Sequence, residues 1–180
     1  MKQLLYFLLG LFVFACSSND SDTSTQLPKN QLAFNNFEAV AGWTSGVPVP
    51  SLTSEKAHSG RYAVQVTPAV EYALGFASAQ GRLSIYPLTK LRVRAWVNLP
   101  NAKATAVLVT EVKDPAGKTI FWDGINLSKE VETFNRWVEV DKTLTLPPNQ
   151  SETNELRVYL WRNQSTQGAF LDDLQLLSAN

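Results

Sequence analysis

Two adjacent carboxylates, Asp172 and Asp173, interrupt the apolar run Gly168-Ala-Phe-Leu-Asp-Asp-Leu-Gln-Leu-Leu177 near the C-terminus. On a regular strand side chains alternate between faces. Phe170, Asp172, Leu174 and Leu176 then share one side, and Leu171, Asp173, Gln175 and Leu177 the other. Whichever side is the core, a carboxylate enters it. A buried carboxylate needs a cation, a metal ion or hydrogen-bond donors to hold its charge.

A second group of residues suits recognition rather than reaction. Arg92, Arg94 and Trp96 occupy alternate positions of Thr89–Leu99, opposite the apolar set Leu91, Val93, Ala95 and Val97. Arg157, Tyr159 and Trp161 do the same in Glu155–Trp161. Outward aromatic rings can stack on the C–H faces of sugars, and arginine can hold hydroxyls or, in a bidentate fork, the carboxylates of uronic acids. If both strands belong to one sheet, the six side chains form a single platform, with Gln65, Asn98, Trp122, Asn126 and Asn163 available at its strands and rims. The alternative is that Phe34, Leu52 or the segment Tyr72–Phe76 covers the rings, and that Arg92 and Arg94 pair with Glu111 or Glu139 across strands. Trp43 and Trp137 read as core or edge residues.

Catalytic constellations are sparse. The chain has one His and one Cys, and it lacks a G-x-S-x-G elbow, a phosphate loop and a His/Cys metal cluster. Glu111, Asp123 and Glu139 show no paired-carboxylate signature of a glycosidase. His58 is read as a turn residue. Lys+Arg and Asp+Glu both number 16, so no basic field invites nucleic acid. These features point away from an enzyme.

The elements that must position these residues are strands. Period-two patterns recur in Arg61–Val66, Thr89–Leu99, Lys103–Lys113, Thr119–Trp122, Trp137–Leu146, Glu155–Trp161 and the final run, between turn residues such as Asp114-Pro-Ala-Gly117 and Pro147-Pro148. No window has a helical apolar stripe. The pattern predicts an all-β antiparallel sandwich or jelly roll over residues 31–180.

Residues 1–16 read as an export leader: Lys2, an apolar run Leu4–Ala15 too short to span a bilayer, then Val13-Phe14-Ala15-Cys16. That ending resembles a bacterial lipobox, which implies lipidation of Cys16; an ordinary cleaved signal peptide is the other reading. Residues 17–30 are rich in Ser, Asp, Thr and Asn and read as a disordered polar tether. Acidic residues soon after the Cys resemble the surface-export signal of Bacteroidetes lipoproteins. The location expected is the outer membrane or cell surface.

Four pieces in order carry a wider resemblance: Asn36-Phe37-Glu38 with Gly42-Trp43, then Ser54-Glu-Lys-Ala-His-Ser-Gly-Arg-Tyr-Ala-Val-Gln-Val66, then Leu91-Arg-Val-Arg-Ala-Trp-Val97, and last Ala169-Phe-Leu-Asp-Asp-Leu174. Together they resemble galactose-binding-like jelly rolls, notably carbohydrate-binding modules of families four, nine and twenty-two. The resemblance implies a non-catalytic module for a polysaccharide or oligosaccharide; the other class it admits is a structural or adhesion module that docks a protein in a cell-envelope complex. It also implies a structural Ca²⁺ held by Glu38, Asp172 and carbonyls between Lys56 and Ser59, a donor set of the kind calcium takes. The alternative for Asp172 is that it accepts backbone or hydroxyl hydrogen bonds.

Overall fold

The computed structural model describes residues 28–44, 46–148 and 150–180, without the side chain of Trp43. The leader and all but the last three residues of the tether therefore lie outside the described residues. Ten strands follow in order: β1 Gln31–Asn35, β2 Leu52–Thr53, β3 Ala63–Val66, β4 Phe76–Ala79, β5 Lys90–Asn98, β6 Val107–Lys113, β7 Thr119–Asn126, β8 Trp137–Thr145, β9 Glu155–Trp161 and β10 Ala169–Ser178. Two four-residue helices, α1 Val40–Trp43 and α2 Leu127–Glu130, sit in connections.

The strands form two antiparallel sheets. One has the order β2-β3-β10-β5-β8, with β1 paired to the second half of β10; the other has the order β4-β9-β6-β7. Partners are nested: β3 with β10, β4 with β9, β5 with β8 and β6 with β7. This is the pairing of one long hairpin folded over itself, with successive pairs falling in alternate sheets. It defines a jelly-roll sandwich.

Alternation explains the core. Leu91, Val93, Ala95 and Val97 of β5 are buried, as are Leu156, Val158 and Leu160 of β9, and they meet between the sheets. Arg92, Arg94, Arg157, Tyr159 and Trp161 face outward from their sheets as their spacing predicts. On the side where β7 and β8 form the open edges, Lys142 crosses the gap. Its ammonium lies 3.0 Å from the Asp123 carboxylate and donates to the Gly124 carbonyl at 2.9 Å.

β10 departs from regular alternation. Asp172 lies opposite Trp96 but Gln175 opposite Arg94, so three steps on β10 match two on β5. The extra residue is a bulge, and Asp173 takes φ 48° within it. As a result Leu171 and Leu174 both reach the core, as does Leu176. Phe170 and Asp172 stay on the outer face of the sheet, so the expected sharing of one side by Phe170, Asp172, Leu174 and Leu176 is corrected. Glu38, read with Asn36-Phe37 as part of the first strand, lies outside it. The first strand ends at Asn35, and Phe37 turns the chain with φ 60°; Glu38 lies in the turn beyond it.

Candidate functional site

The nested pairing separates the predicted platform into two halves on opposite faces of the molecule. β5 belongs to the sheet with β10 and β8, and β9 to the sheet with β4 and β6. Arg92, Arg94 and Trp96 therefore share no surface with Arg157, Tyr159 and Trp161.

On the β5 face the side chains are engaged with one another. Arg92 Nε donates to Asp141 Oδ1 at 2.8 Å, and Arg94 bonds Glu139 while its Nε lies 3.3 Å from Asp141. These are cross-strand pairs of adjacent β5 and β8. Trp96 is covered by His58, whose ring stacks on the indole at 3.9 Å between centroids and 10° between planes. Trp137 meets the same imidazole edge-on at 5.9 Å. Asn98 is buried here, and Gln65 lies opposite Phe170.

The β9 face is more open. Register across β9, β6 and β7 sets Arg157, Glu111 and Trp122 in one row, Tyr159, Val109 and Gly124 in the next, and Trp161, Val107 and Asn126 in the third. Trp122 is 52% exposed and meets Trp161 edge-to-face, centroids 6.5 Å apart at 83°. Tyr72, 58% exposed, meets Tyr159 in the same manner at 5.8 Å and 73°. A depression of about 430 Å³ is lined by Tyr72, Gly75, Glu111, Lys113, Arg157 and Tyr159, among others. Gly75 allows the 72–75 segment to press on β9; a Cβ there would sit 2.2 Å from the Val158 carbonyl oxygen.

The charges on this face are paired. Glu111, on the floor, accepts from the Thr119 hydroxyl at 2.5 Å, and Lys113 Nζ lies 3.2 Å away. Burial works against its charged form, but the Thr119 and Lys113 contacts outweigh burial and hold the carboxyl below the usual range. Among the described residues its Oε2 receives only a 3.4 Å contact from the Tyr159 hydroxyl. Burial, and then the nearby Glu111 charge, push the Tyr159 phenol up. Arg157 bonds Glu155 through Nε at 2.5 Å. Trp161 Nε1 donates to Glu71 at 2.8 Å, and Arg162 pairs with the same carboxylate. That indole bond, ahead of the Arg162 contacts, lowers the Glu71 carboxyl. Asn126 caps α2 by accepting from the Ser128 amide, and Asn163 donates to the Thr105 carbonyl; both are engaged beside the Trp161 end.

Glu71, Tyr72, Gly75, Glu111 and Lys113 belong to this face and were not assigned by the platform reading. Glu111 was legible, since alternation in Val107–Lys113 puts it in register with Val107 and Val109. Glu71 and Tyr72 carry no such signal, because only isolated bridges hold their segment to the sheet.

The expected calcium ligands converge on one segment. Asp172, fully buried, accepts from the His58 amide at 2.8 Å and the Ser59 amide at 3.1 Å through Oδ2, and from the Asp173 amide at 2.7 Å through Oδ1. Glu38 Oε1 accepts from the Arg61 and Tyr62 amides, both at 2.7 Å. Asp173 bonds the Ser59 hydroxyl at 2.7 Å and His58 Nδ1 at 2.6 Å. The segment thus turns N–H donors, not carbonyls, toward these oxygens. The residues as arranged do not fit a calcium ligand set, and among the described residues no group of three or more His, Cys, Asp or Glu gathers around a common point.

No family model and no curated relative matches the chain. Solved structures do. The chain is similar to the C-terminal family 22 carbohydrate-binding module of Clostridium thermocellum Xyn10B, at 14% identity and TM-score 0.49, covering 84% of this chain and 94% of that one. It is similar to the CBM22-1 xylan-binding domain of Paenibacillus barcinonensis Xyn10C, at 21% identity and TM-score 0.45, covering 70% and 78%. It is also similar to a family 16 carbohydrate-binding module, at 16% identity and TM-score 0.46, covering 70% and 83%.

Proposed function

We propose that the chain is a non-catalytic module that binds a neutral glycan on the outer face of its β4-β9-β6-β7 sheet. The observation that carries this reading is the pair of edge-to-face aromatic contacts, Tyr72–Tyr159 and Trp122–Trp161, in a sheet face whose depression has Glu111 in its floor. Aromatic faces offer stacking to sugar rings. Glu111 Oε2 offers a strong acceptor to a hydroxyl. The sequence reading also admitted uronic acids through arginine, but Arg157 is paired with Glu155, and Lys113 with Glu111. A uronate would have to break those pairs, whereas an uncharged hexose or pentose chain leaves them intact.

Affinity electrophoresis against neutral and acidic polysaccharides tests this. Retardation by at least one neutral polymer, and weaker or no retardation by polyuronates, is expected. A uniform lack of retardation across a broad neutral panel contradicts the reading and leaves the protein-docking module as its successor. Export, lipidation of Cys16 and residence at the outer membrane or cell surface complete the proposal, supported by the leader sequence alone.

A further inference from the structure

At one end of the sandwich the loop Ser84–Pro87 projects two large apolar side chains, Ile85 at 89% exposure and Tyr86 at 71%. A cleft of about 400 Å³, bordered by Gln80, Ile85, Tyr86, Gln150 and Glu152, separates the loop from the neighbouring turn. Exposed single apolar residues are ordinary; two consecutive ones at the tip of a loop are less so.

The place of this loop in the fold gives the pair a meaning. The chain enters the sandwich at Asn30, whose carbonyl accepts from the Ser178 amide and whose Nδ2 donates to the Ser178 carbonyl. Two residues on, Asn180 accepts from the Thr89 and Lys90 amides and donates to the Pro87 carbonyl. Entry point, chain end and loop are thus joined by a short hydrogen-bonded path at one end. Trp161 and the loop after it lie toward the other: β10 pairs there with β3 through Ala169, and β9 runs away from its Glu155–Ala79 contact. Eleven residues lie between Cys16 and Pro28, at most ~40 Å of chain. Lys29, Arg82 and Lys90 are exposed in this region. None of the three forms an ion pair among the described residues. Glu152, beside Gly81, is an exposed carboxylate at the loop, and Glu155, paired with Arg157, shares a groove with Arg82.

The geometry points to a membrane-seating surface: Ile85 and Tyr86 enter the headgroup region of an anionic bilayer, with Lys29, Arg82 and Lys90 against its phosphates. This rests on the lipid-anchor reading above. Tyrosine suits the membrane–water interface, and a small apolar insertion flanked by cations is the chemistry of peripheral attachment. Seating fixes the tether end at the lipid and leaves the aromatic sheet face standing across the membrane plane rather than pressed on it.

The test uses the full chain with Ile85→Cys labelled by an environment-sensitive nitrobenzoxadiazole dye. Thr166→Cys, at the opposite end, is the control, and both are reconstituted in phosphatidylcholine–phosphatidylglycerol vesicles. Intact mass reports separately whether Cys16 is acylated. With Cys16 acylated, emission at position 85 should rise about threefold or more with a blue shift, the response at position 166 should stay flat, and Tyr86→Ser should weaken the signal. An acylated chain whose probe at 85 stays as water-like as the one at 166 overturns the seating while the anchor reading stands. If the mass shows no lipid, the anchor reading fails on that result. The same probes in a Cys16→Ser chain mixed with the vesicles then decide the seating: a response at 85 alone keeps it, and silence overturns it.

Discussion

Asp172 holds three backbone amides with two oxygens and no exposure. Each amide left unpaired in a buried place costs about 1–3 kcal/mol. Asp172→Ala should therefore destabilise the domain by about 3 kcal/mol in urea unfolding. Because those oxygens face N–H groups, EDTA should leave the melting temperature of the wild type unchanged; a fall on chelation that added calcium reverses would contradict the amide-clamp description. Burial also pushes the Asp172 carboxyl up, with the Asp173 charge a smaller cause in the same direction. Its ionised form is thus penalised in the folded state, and that penalty is relieved as pH falls through the raised value. Glu111 behaves oppositely. Its folded value is lowered, so its contribution is complete above the usual carboxylate range and is lost as pH falls through the folded value. The stability lead of wild type over Glu111→Gln should accordingly be largest near neutral pH and close in acid, as read by melts across pH. A constant gap would show that Glu111 acts by shape rather than charge. The need of Asp172 for partners was legible from the sequence, because an aspartate in an apolar strand must find them. Their nature was not, because the 58–62 segment shows whether it turns N–H or C=O toward a carboxylate only in its backbone angles.

At the scale of elements, alternation gave the right inward and outward sets for β5 and β9. It could not say which sheet each strand joins, since both strands look the same locally and the choice is made by distant partners. The bulge at Asp173 was equally hidden: Asp tolerates the left-handed region, but Leu-Asp-Asp-Leu reads locally as plain strand. One segment shows how tightly such details are fixed. Gly60 has φ 60°, and a Cβ there would lie 2.5 Å from the Glu38 carboxylate carbon. Gly60→Ala should cost about 2 kcal/mol, from backbone strain and from displacing Glu38 off the Arg61 and Tyr62 amides. A neutral result in urea would mean that the Glu38 clamp does not order this segment.

For the whole molecule, folding one long hairpin over itself creates two outer faces with different fates. The β5 face closes on itself: arginines pair with Asp141 and Glu139, and His58 lies flat on Trp96. The β9 face keeps its rings in two edge-to-face pairs, of which Tyr72–Tyr159 lines a depression, with Trp122 and Tyr72 more than half exposed. The two tryptophans that seemed equivalent in the sequence, Trp96 and Trp161, therefore separate the face proposed to bind sugar from its structural counterpart. The most direct measurement is titration calorimetry of the full chain with a neutral oligosaccharide that retards it, comparing wild type, Trp161→Ala and Trp96→Ala. Trp161→Ala should weaken binding about tenfold or more, equivalent to about 1.4 kcal/mol, and Trp96→Ala should leave affinity unchanged. Loss of affinity in Trp96→Ala with Trp161→Ala at the wild-type value would contradict this assignment of the faces.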